Sequence, residues 1–278
     1  MLGNARLSKG RGAFRLVLTL IAAGLYSATG AQADQSEKSW KELHTSYFEG
    51  KAIQDGTALL ALDAPYRADD PALVPVSVSI LRQQDNGNRI KTLTLIVDEN
   101  PAPIAATFTL AEDGGISAME TRLRVNAYSF VRAIAELADG SLHMVKRYVK
   151  ATGGCAAPAS RNPEDALASM GKMRLRQIPS VDKGNTFQLL IRHPNYSGLQ
   201  MDQLTGHYRP AHFVNTIRIS ADDKPLVSVE GAISLSENPS LRFTSLAGKP
   251  NVLAAHAEDT EGNVFEKSWD LTKEPGDS

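Results

Sequence analysis

The stretch KTLTLIVDENPAPIAATFTL, residues 91–110, decides the fold class of this chain. Apolar and threonine side chains alternate over residues 92–97, and the same alternation returns over residues 106–110. Successive side chains of a β-strand point to opposite faces of its sheet, so a period of two residues indicates a strand with one buried face. The stretch therefore predicts two half-buried β-strands.

Strand patterning continues on both sides of this stretch and is interrupted by turn signals. Tight turns are favoured at Asn86-Gly87, Asp113-Gly114-Gly115 and Asp139-Gly140, and residues 142–149 predict one more strand. The alternation returns after residue 184 in Phe187-Leu189-Ile191, Phe213-Ile217-Ile219, Val227-Val229, Leu241-Phe243 and Phe265-Trp269-Leu271. Many short strands at this spacing are typical of β-sandwiches. The sequence therefore predicts an all-β fold with two β-sandwich domains in tandem.

Residues 34–50 depart from this pattern and predict a short amphipathic helix. Trp40, Leu43 and Tyr47 recur at helical spacing. Asp34 stands at the first position of a capping-box pattern, which predicts that the helix begins there.

Residues 156–184 also lack strand patterning and predict a linker. Asn162-Pro163 has the composition of a helix start, and Leu167, Met170 and Met173 would then share one face of a short helix. The predicted divisions are a signal peptide at 1–33, a helix at 34–50, a first sandwich at 51–155, the linker at 156–184, a second sandwich at 185–273 and a tail at 274–278.

The first 33 residues have the pattern of a secretory signal peptide. Four basic residues between positions 6 and 15 precede the mostly apolar run 16–26, and Ala31-Gln32-Ala33 offers a cleavage site before Asp34. The apolar run is shorter than the ~20 residues that span a bilayer. We therefore expect a periplasmic protein with no membrane insertion after cleavage.

The composition of the chain excludes several classes of function. Its 278 residues contain 30 Lys plus Arg against 31 Asp plus Glu, so no basic excess points to nucleic acid. A single cysteine excludes both an intrachain disulfide framework and a metal site built from several thiolates. The GxSxG, Walker and GxGxxG motifs are absent from the sequence.

Cys155 is the candidate for chemistry. It follows Gly153 and Gly154 in a segment of small residues, which predicts an exposed thiol on a flexible mount. Basic residues close in the sequence would favour the reactive thiolate; they are Lys146, Arg147, Lys150 and Arg161. The alternative interpretation is that this lone cysteine is a small buried hydrophobe.

The histidines do not predict a metal site. His44, His143, His193, His207, His212 and His256 form neither an HxH nor an HExxH pattern. Hydrogen-bonded structural histidines are the favoured interpretation, and the alternation of β-strand residues places His193 on an inner face. No metal and no cofactor is predicted.

Two sets of motifs resemble a known pair of proteins. LLALDAPYRADDPALVPVSV (59–78), KTLTLIVDENPAPIAATF (91–108) and VKATGGC (149–155) resemble SoxY, the sulfur-carrying subunit of the bacterial thiosulfate-oxidising system. IRHPNYSGL (191–199), TGHYRPAHFVNTIRI (205–219) and ISLSENPSLRF (233–243) are similar to SoxZ, its partner subunit. Both sets in one chain resemble the fused SoxYZ-like carriers associated with quinoprotein dehydrogenases.

The resemblance implies two immunoglobulin-like sandwiches and a carrier that is not an enzyme. In SoxY the cysteine of a mobile Gly-Gly-Cys arm holds sulfur intermediates covalently and presents them to periplasmic redox enzymes. That cysteine corresponds to Cys155, with Gly153 and Gly154 as its mount. The SoxY arm ends the chain just after its cysteine, whereas here Ala156, Ala157 and Pro158 follow and the arm is attached at both ends.

Two other functions stay open from the sequence. The first is a non-covalent adaptor that binds a periplasmic quinoprotein dehydrogenase through a sandwich face and does not use Cys155. The second is a thiol enzyme such as a peroxidase, which fits less well because no second cysteine could act as the resolving thiol.

Overall fold

The structure is a computed structural model, and it describes residues 32–81, 88–158, 163–179, 184–202 and 205–273. The predicted turn at Asn86-Gly87 and the tail at 274–278 lie outside the described residues, as does the predicted signal peptide except for residues 32 and 33. In the described part of the chain, no helix is both long enough and apolar enough to cross a membrane.

The described chain forms two α-helices and fifteen β-strands. The helices are α1 (32–48) and α2 (Pro163–Ala168). The strands are β1 (Ile53–Asp55), β2 (Leu60–Asp63), β3 (Val74–Ile80), β4 (Ile90–Val97), β5 (Ile104–Leu110), β6 (Ile116–Leu123), β7 (Ser129–Leu137), β8 (Leu142–Val149), β9 (Met173–Ile178), β10 (Asn185–Ile191), β11 (Val214–Ala221), β12 (Lys224–Gly231), β13 (Ser240–Ser245), β14 (Val252–Asp259) and β15 (Val264–Asp270).

These strands form two sheets, which confirms the predicted all-β fold. A nine-stranded sheet has the order β1-β8-β7-β4-β5-β12-β11-β14-β15, and a six-stranded sheet has the order β2-β3-β6-β13-β10-β9. Each sheet therefore contains strands from both halves of the chain.

The two halves join edge to edge in both sheets. Strand β5 pairs antiparallel with β12, with Phe108 opposite Val229, and β6 pairs antiparallel with β13, with Met119 opposite Phe243. An edge strand leaves a row of backbone groups unpaired, and here each half satisfies the edges of the other. The two predicted sandwiches therefore share continuous sheets.

One apolar core runs through both halves. It includes Leu93 and Phe108 from the first half, and Phe187 and Phe243 from the second, whose rings lie 5.7 Å apart. The period-two pattern creates this core because alternate side chains of each strand point between the two sheets.

Helix α1 covers a second, smaller apolar cluster on the nine-stranded sheet. Trp40, Leu43 and Phe48 of the helix pack against a cluster formed by Ile96, Ile134 and Leu142. The prediction for this helix was wrong in two details. The helix already includes residue 32, so Asp34 does not begin it, and Tyr47 is half exposed while Phe48 faces the cluster.

A buried arginine fixes α1 to the sheet. Arg132 of β7 is fully buried and donates to both carboxylate oxygens of Asp98 at 2.8–3.0 Å. It also donates to Glu37 of α1 at 3.1 Å, and its guanidinium lies 4.4 Å from the Trp40 ring centroid. These ion pairs and hydrogen bonds offset the free-energy cost of burying the positive charge of Arg132.

The predicted linker contains a strand. Helix α2 ends at Ala168, and Gly171 adopts a left-handed φ of 80° while its N–H donates to the Arg192 carbonyl at 2.8 Å. This turn directs the chain into β9, which pairs with β10. The predicted helical face is therefore wrong at Met173, which is the first residue of β9 and is buried.

Because both sheets and the core are continuous, we predict that the chain unfolds in a single cooperative transition. Leu93→Ala in the first half and Phe243→Ala in the second each remove a side chain that is at most 1% exposed. Each should lower the free energy of unfolding by about 2–5 kcal/mol and shift the same single transition to lower temperature. Calorimetry checks this expectation, and two resolved transitions, each shifted by only one variant, would contradict it.

Candidate functional site

Cys155 lies in a segment that we call the cysteine arm, residues 150–158, which follows β8. The arm folds back onto the chain after β6: the Gly153 N–H donates to the Asn126 carbonyl at 2.8 Å, and the Gly154 N–H donates to the Val125 carbonyl at 3.0 Å. The Cys155 side chain is buried, with 0% of the residue exposed. The prediction of an exposed thiol was therefore wrong for this conformation.

The two glycines of the arm have different physical roles. Gly153 adopts a left-handed φ of 79° in open space, a conformation that glycine reaches without strain. At Gly154 an added Cβ would lie 2.1 Å from the Pro71 carbonyl oxygen and 2.7 Å from the Val125 carbonyl oxygen. Only a residue without a side chain allows the arm to approach so closely, and this approach is what buries Cys155.

The second half of the chain holds the arm from the other side. The Ser197 hydroxyl donates to the carbonyl of Cys155, and the Gln200 side-chain amide donates to the carbonyl of Ala157 at 3.1 Å. Gln200 is itself positioned by the Ser197 N–H, which donates to its side-chain oxygen at 3.1 Å. Both residues are buried and lie on one loop, residues 192–202, which we call the holding loop.

Arg124 bridges the arm and the holding loop. Its guanidinium donates to the Gly154 carbonyl at 3.2 Å and to the Asn195 carbonyl at 3.2 Å, while only 1% of the residue is exposed. Its Nε has no hydrogen-bond partner among the described residues. Burying a guanidinium costs free energy because the charge loses its hydration. Its two hydrogen bonds to carbonyls offset part of this cost and fix the arm against the loop.

The position of Arg124 is fixed through its backbone. Its N–H donates to the Ser234 carbonyl at 2.8 Å, and its carbonyl accepts from the Asn100 side-chain amide at 2.7 Å. The same amide donates to the Ser234 hydroxyl at 2.9 Å. The site therefore rests on both halves of the chain.

Burial dominates the electrostatics of the thiol. Burial raises the pKa of Cys155 to about 11, and the positive charge of Arg124 opposes this rise only in part. The buried thiol is consequently protonated at neutral pH and a poor nucleophile.

The basic residues predicted to favour the thiolate do not act on it in this conformation. No hydrogen bond joins Lys146, Arg147 or Lys150 to the thiol, and Arg161 lies outside the described residues. The three described side chains contact the Glu37 carboxylate, the Leu62 carbonyl and the Tyr66 ring, respectively. Arg124 is the charged group that lowers the pKa of Cys155, and burial outweighs it, so the expected activation by these residues was wrong for the buried thiol.

A buried histidine pair fixes the holding loop. His193 is buried, although β10 ends at Ile191 and the strand predicted to carry this residue does not reach it. His193 and His212 point their Nε2 atoms at the same oxygen of Asp259, at 3.3 and 2.7 Å. Burial opposes ionisation of Asp259, but hydrogen bonds from Asn263 and His212 outweigh it and lower the pKa of this carboxyl. A charged carboxylate thus anchors one end of the loop.

His193, His212 and Asp259 also have the geometry of a possible metal site, because one ligand atom from each lies within 4.8 Å of the other two. They form the one such set among the described residues. In this conformation the Asn195 N–H donates to Nδ1 of His193 at 3.0 Å. The proton of a neutral His193 then resides on Nε2, which donates to Asp259 and cannot ligate a metal. The arrangement is a structural hydrogen-bond network.

Sequence reasoning placed Gly153, Gly154 and Cys155 together but missed the residues that hold them. Ser197 and Asn195 lie within the quoted motif IRHPNYSGL, whereas nothing in the local pattern distinguishes Arg124 from the other arginines of a strand end. The contacts depend on the pairing of the two halves, which a linear pattern does not contain.

Comparisons with known proteins match both halves of the chain. The family model of Sulfur oxidation protein SoxY matches residues 44–155, and that of Sulphur oxidation protein SoxZ matches residues 173–270. The first match ends at Cys155 itself. Comparison with curated proteins gives no match.

Solved structures that are similar over part of the chain include the following two. The sulfur carrier protein SoxY from Chlorobium limicola f thiosulfatophilum is 21% identical and covers 42% of this chain and 94% of its own, with a TM-score of 0.34. Superoxide reductase (neelaredoxin) from Ignicoccus hospitalis is 14% identical and covers 33% of this chain and 79% of its own, with a TM-score of 0.30.

The close approach at Gly154 generates a test of the buried arm. We predict that Gly154→Ala displaces the arm and raises the rate at which Cys155 reacts with Ellman's reagent at pH 7.5. A thiol with a pKa of about 11 holds about 100-fold less thiolate than one with the ordinary value of 9.0, so release should increase the rate by a similar factor.

Gly153→Ala is the matched control for this experiment. It adds a methyl group in open space, so it should cost about 1 kcal/mol of backbone strain and leave the thiol slow to react. Unchanged circular dichroism would show that both variants fold. Equal reactivity of Gly154→Ala and the unsubstituted protein would contradict the packing described for the arm.

Proposed function

This chain carries a SoxY domain at residues 44–155 followed by a SoxZ domain at residues 173–270, and from that premise we propose that it is a covalent sulfur carrier. Its attachment site is Cys155, and Gly153 and Gly154 are the mount of the arm. The observation that carries the proposal is the position of the thiol. The single cysteine of the chain ends the SoxY match, on an arm that the SoxZ domain holds.

Carriage requires the arm to leave its buried position. Cys155 has no exposed surface, so no cargo of several atoms fits on its sulfur while the arm is docked. Ser197, Gln200 and Arg124 each donate one hydrogen bond to an arm carbonyl, and such bonds contribute about 0.5–1.5 kcal/mol each. Release breaks these three bonds and the two that the Gly153 and Gly154 N–H groups donate, and it exposes one small side chain. The released arm is therefore a minor state in equilibrium with the docked one.

Attachment at both ends limits the reach of the released arm. Six residues, 150–155, separate the end of β8 from the sulfur, and a fully extended segment of that length spans at most ~20 Å. We infer that the partner enzyme receives Cys155 close to the surface of this protein.

Attachment of thiosulfate to Cys155 is a two-electron oxidation. Joining thiosulfate to the thiol forms one sulfur–sulfur bond, releases one proton from Cys155 and releases two electrons. This chain has a single cysteine, so it cannot hold an intrachain disulfide that would accept those electrons. The acceptor is therefore a partner redox enzyme, which we place with the carrier in the periplasm.

The buried thiol also favours a second candidate function. A non-covalent adaptor for a redox enzyme such as a quinoprotein dehydrogenase would have no need of an exposed cysteine, and the 0% exposure of Cys155 agrees with that requirement. The two functions differ in whether the sulfur is modified while the pathway runs.

The test is the intact mass of the protein purified from its native source without reductant, measured again after reduction. We predict a mass increase that reduction removes, equal to one or more sulfur atoms or a thiosulfate-sized group. A Cys155→Ser variant should show no increase; because it buries a hydroxyl in place of a thiol, circular dichroism and its unfolding temperature check that it still folds. A uniformly unmodified thiol in cells that are oxidising sulfur would reject the carrier and leave the adaptor.

A further inference from the structure

The outer face of the six-stranded sheet carries a cluster of arginines that the carrier function does not use. Arg122 of β6, Arg174 and Arg176 of β9, and Arg192 just after β10 line a groove of about 390 Å³, which we call the arginine groove. The groove crosses the junction of the two halves, because β6 comes from the first and the other strands from the second.

Strand register creates this cluster. Arg174 and Arg176 lie two residues apart on β9 and share one face, and they stand opposite Leu190 and Gln188 of β10. Cross-strand pairing extends this face across the sheet: Arg176 lies opposite Gln188, Gln188 opposite Arg242, and Arg242 opposite Glu120.

The groove has an excess of positive charge. Glu120 is the carboxylate among the lining residues, and it already pairs with Arg242 at 2.9 Å. No carboxylate in the described ranges forms an ion pair with Arg122, Arg174 or Arg176, and Nε of Arg122 is buried without a described partner. This local excess stands out in a chain whose formal net charge is −1.

The width of the groove indicates the class of ligand. Three strand spacings separate β6 from β9, which places the Cα atoms of the outermost arginines ~14 Å apart. An ion of the size of sulfate or thiosulfate fills only a small part of a groove of about 390 Å³, whereas a segment of a protein surface can cover it and contact arginines of both strands. Arginine is enriched at protein interfaces and binds carboxylates through two parallel hydrogen bonds.

We propose that the arginine groove is a docking surface for an acidic segment of a partner protein. The groove adjoins the holding loop: Arg192 precedes His193, and Asn238, which lines the groove, donates its N–H to the His193 carbonyl at 2.8 Å. A partner docked there lies beside the loop that holds the cysteine arm. The proposal itself does not depend on cargo at Cys155.

The test uses a fluorescein-labelled decaglutamate peptide as the probe and fluorescence anisotropy at low ionic strength as the readout. We expect the full chain to bind the peptide and an Arg174→Gln/Arg176→Gln variant to bind about fivefold more weakly, the effect of losing two exposed ion pairs. Both arginine side chains are exposed and form no hydrogen bond within the described ranges, and the substitutions leave the backbone pairing of β9 with β10 intact, so the variant should fold.

The matched control is Lys91→Gln/Arg218→Gln, which removes the same charge from exposed positions on the nine-stranded sheet. It should bind the peptide like the unsubstituted protein, as should Cys155→Ser. Equal weakening by both double variants, or no binding of the peptide at all, would overturn the proposal. So would displacement of the peptide by thiosulfate at concentrations where chloride of matched ionic strength has no effect, because the groove would then be a small-oxyanion site.

Discussion

The pairing of β5 with β12 and of β6 with β13 is the constraint on which the rest of the structure depends. It satisfies the sheet edges of both halves and merges their cores. It also sets the holding loop of the second half beside the turn after β6 in the first, where Arg124 donates to carbonyls on both sides. The buried cysteine is therefore a property of the paired halves, and neither half alone contains the site.

The proposed carrier function requires two chemically different states of the thiol, of which the structure describes the docked one. In the docked state burial raises the pKa of Cys155 to about 11, and the sulfur is both protonated and inaccessible. In the released state that we propose, loss of burial would return the pKa of this thiol toward its ordinary value and would open the sulfur to a partner. Gly154 allows the close approach and Gly153 the left-handed turn, so the docked state shields the sulfur of a lone cysteine from oxidants.

Much of the fold could be predicted from the sequence, because period-two alternation reports directly on which face of a strand is buried. The strand predicted at residues 142–149 is β8, and the segment around Phe187 is β10. The burial of Cys155 could not be predicted in this way, because it depends on the carbonyls of Pro71 and Val125 and on a loop more than forty residues later. Arg124 was missed for the same reason, since local sequence does not show what a strand-end side chain will meet.

The most direct test of the account is amide hydrogen exchange of the protein with Cys155 as a free thiol and after reaction with tetrathionate, which leaves a thiosulfonate group on the sulfur and releases thiosulfate. The amides of Gly153 and Gly154 donate to carbonyls of the first half in the docked arm and should exchange slowly in the free-thiol form. The account predicts that loading accelerates exchange in the arm and in the holding loop and leaves the central strands of both sheets unchanged. Unchanged exchange in the arm of the loaded protein would contradict it, because cargo would then be carried without release.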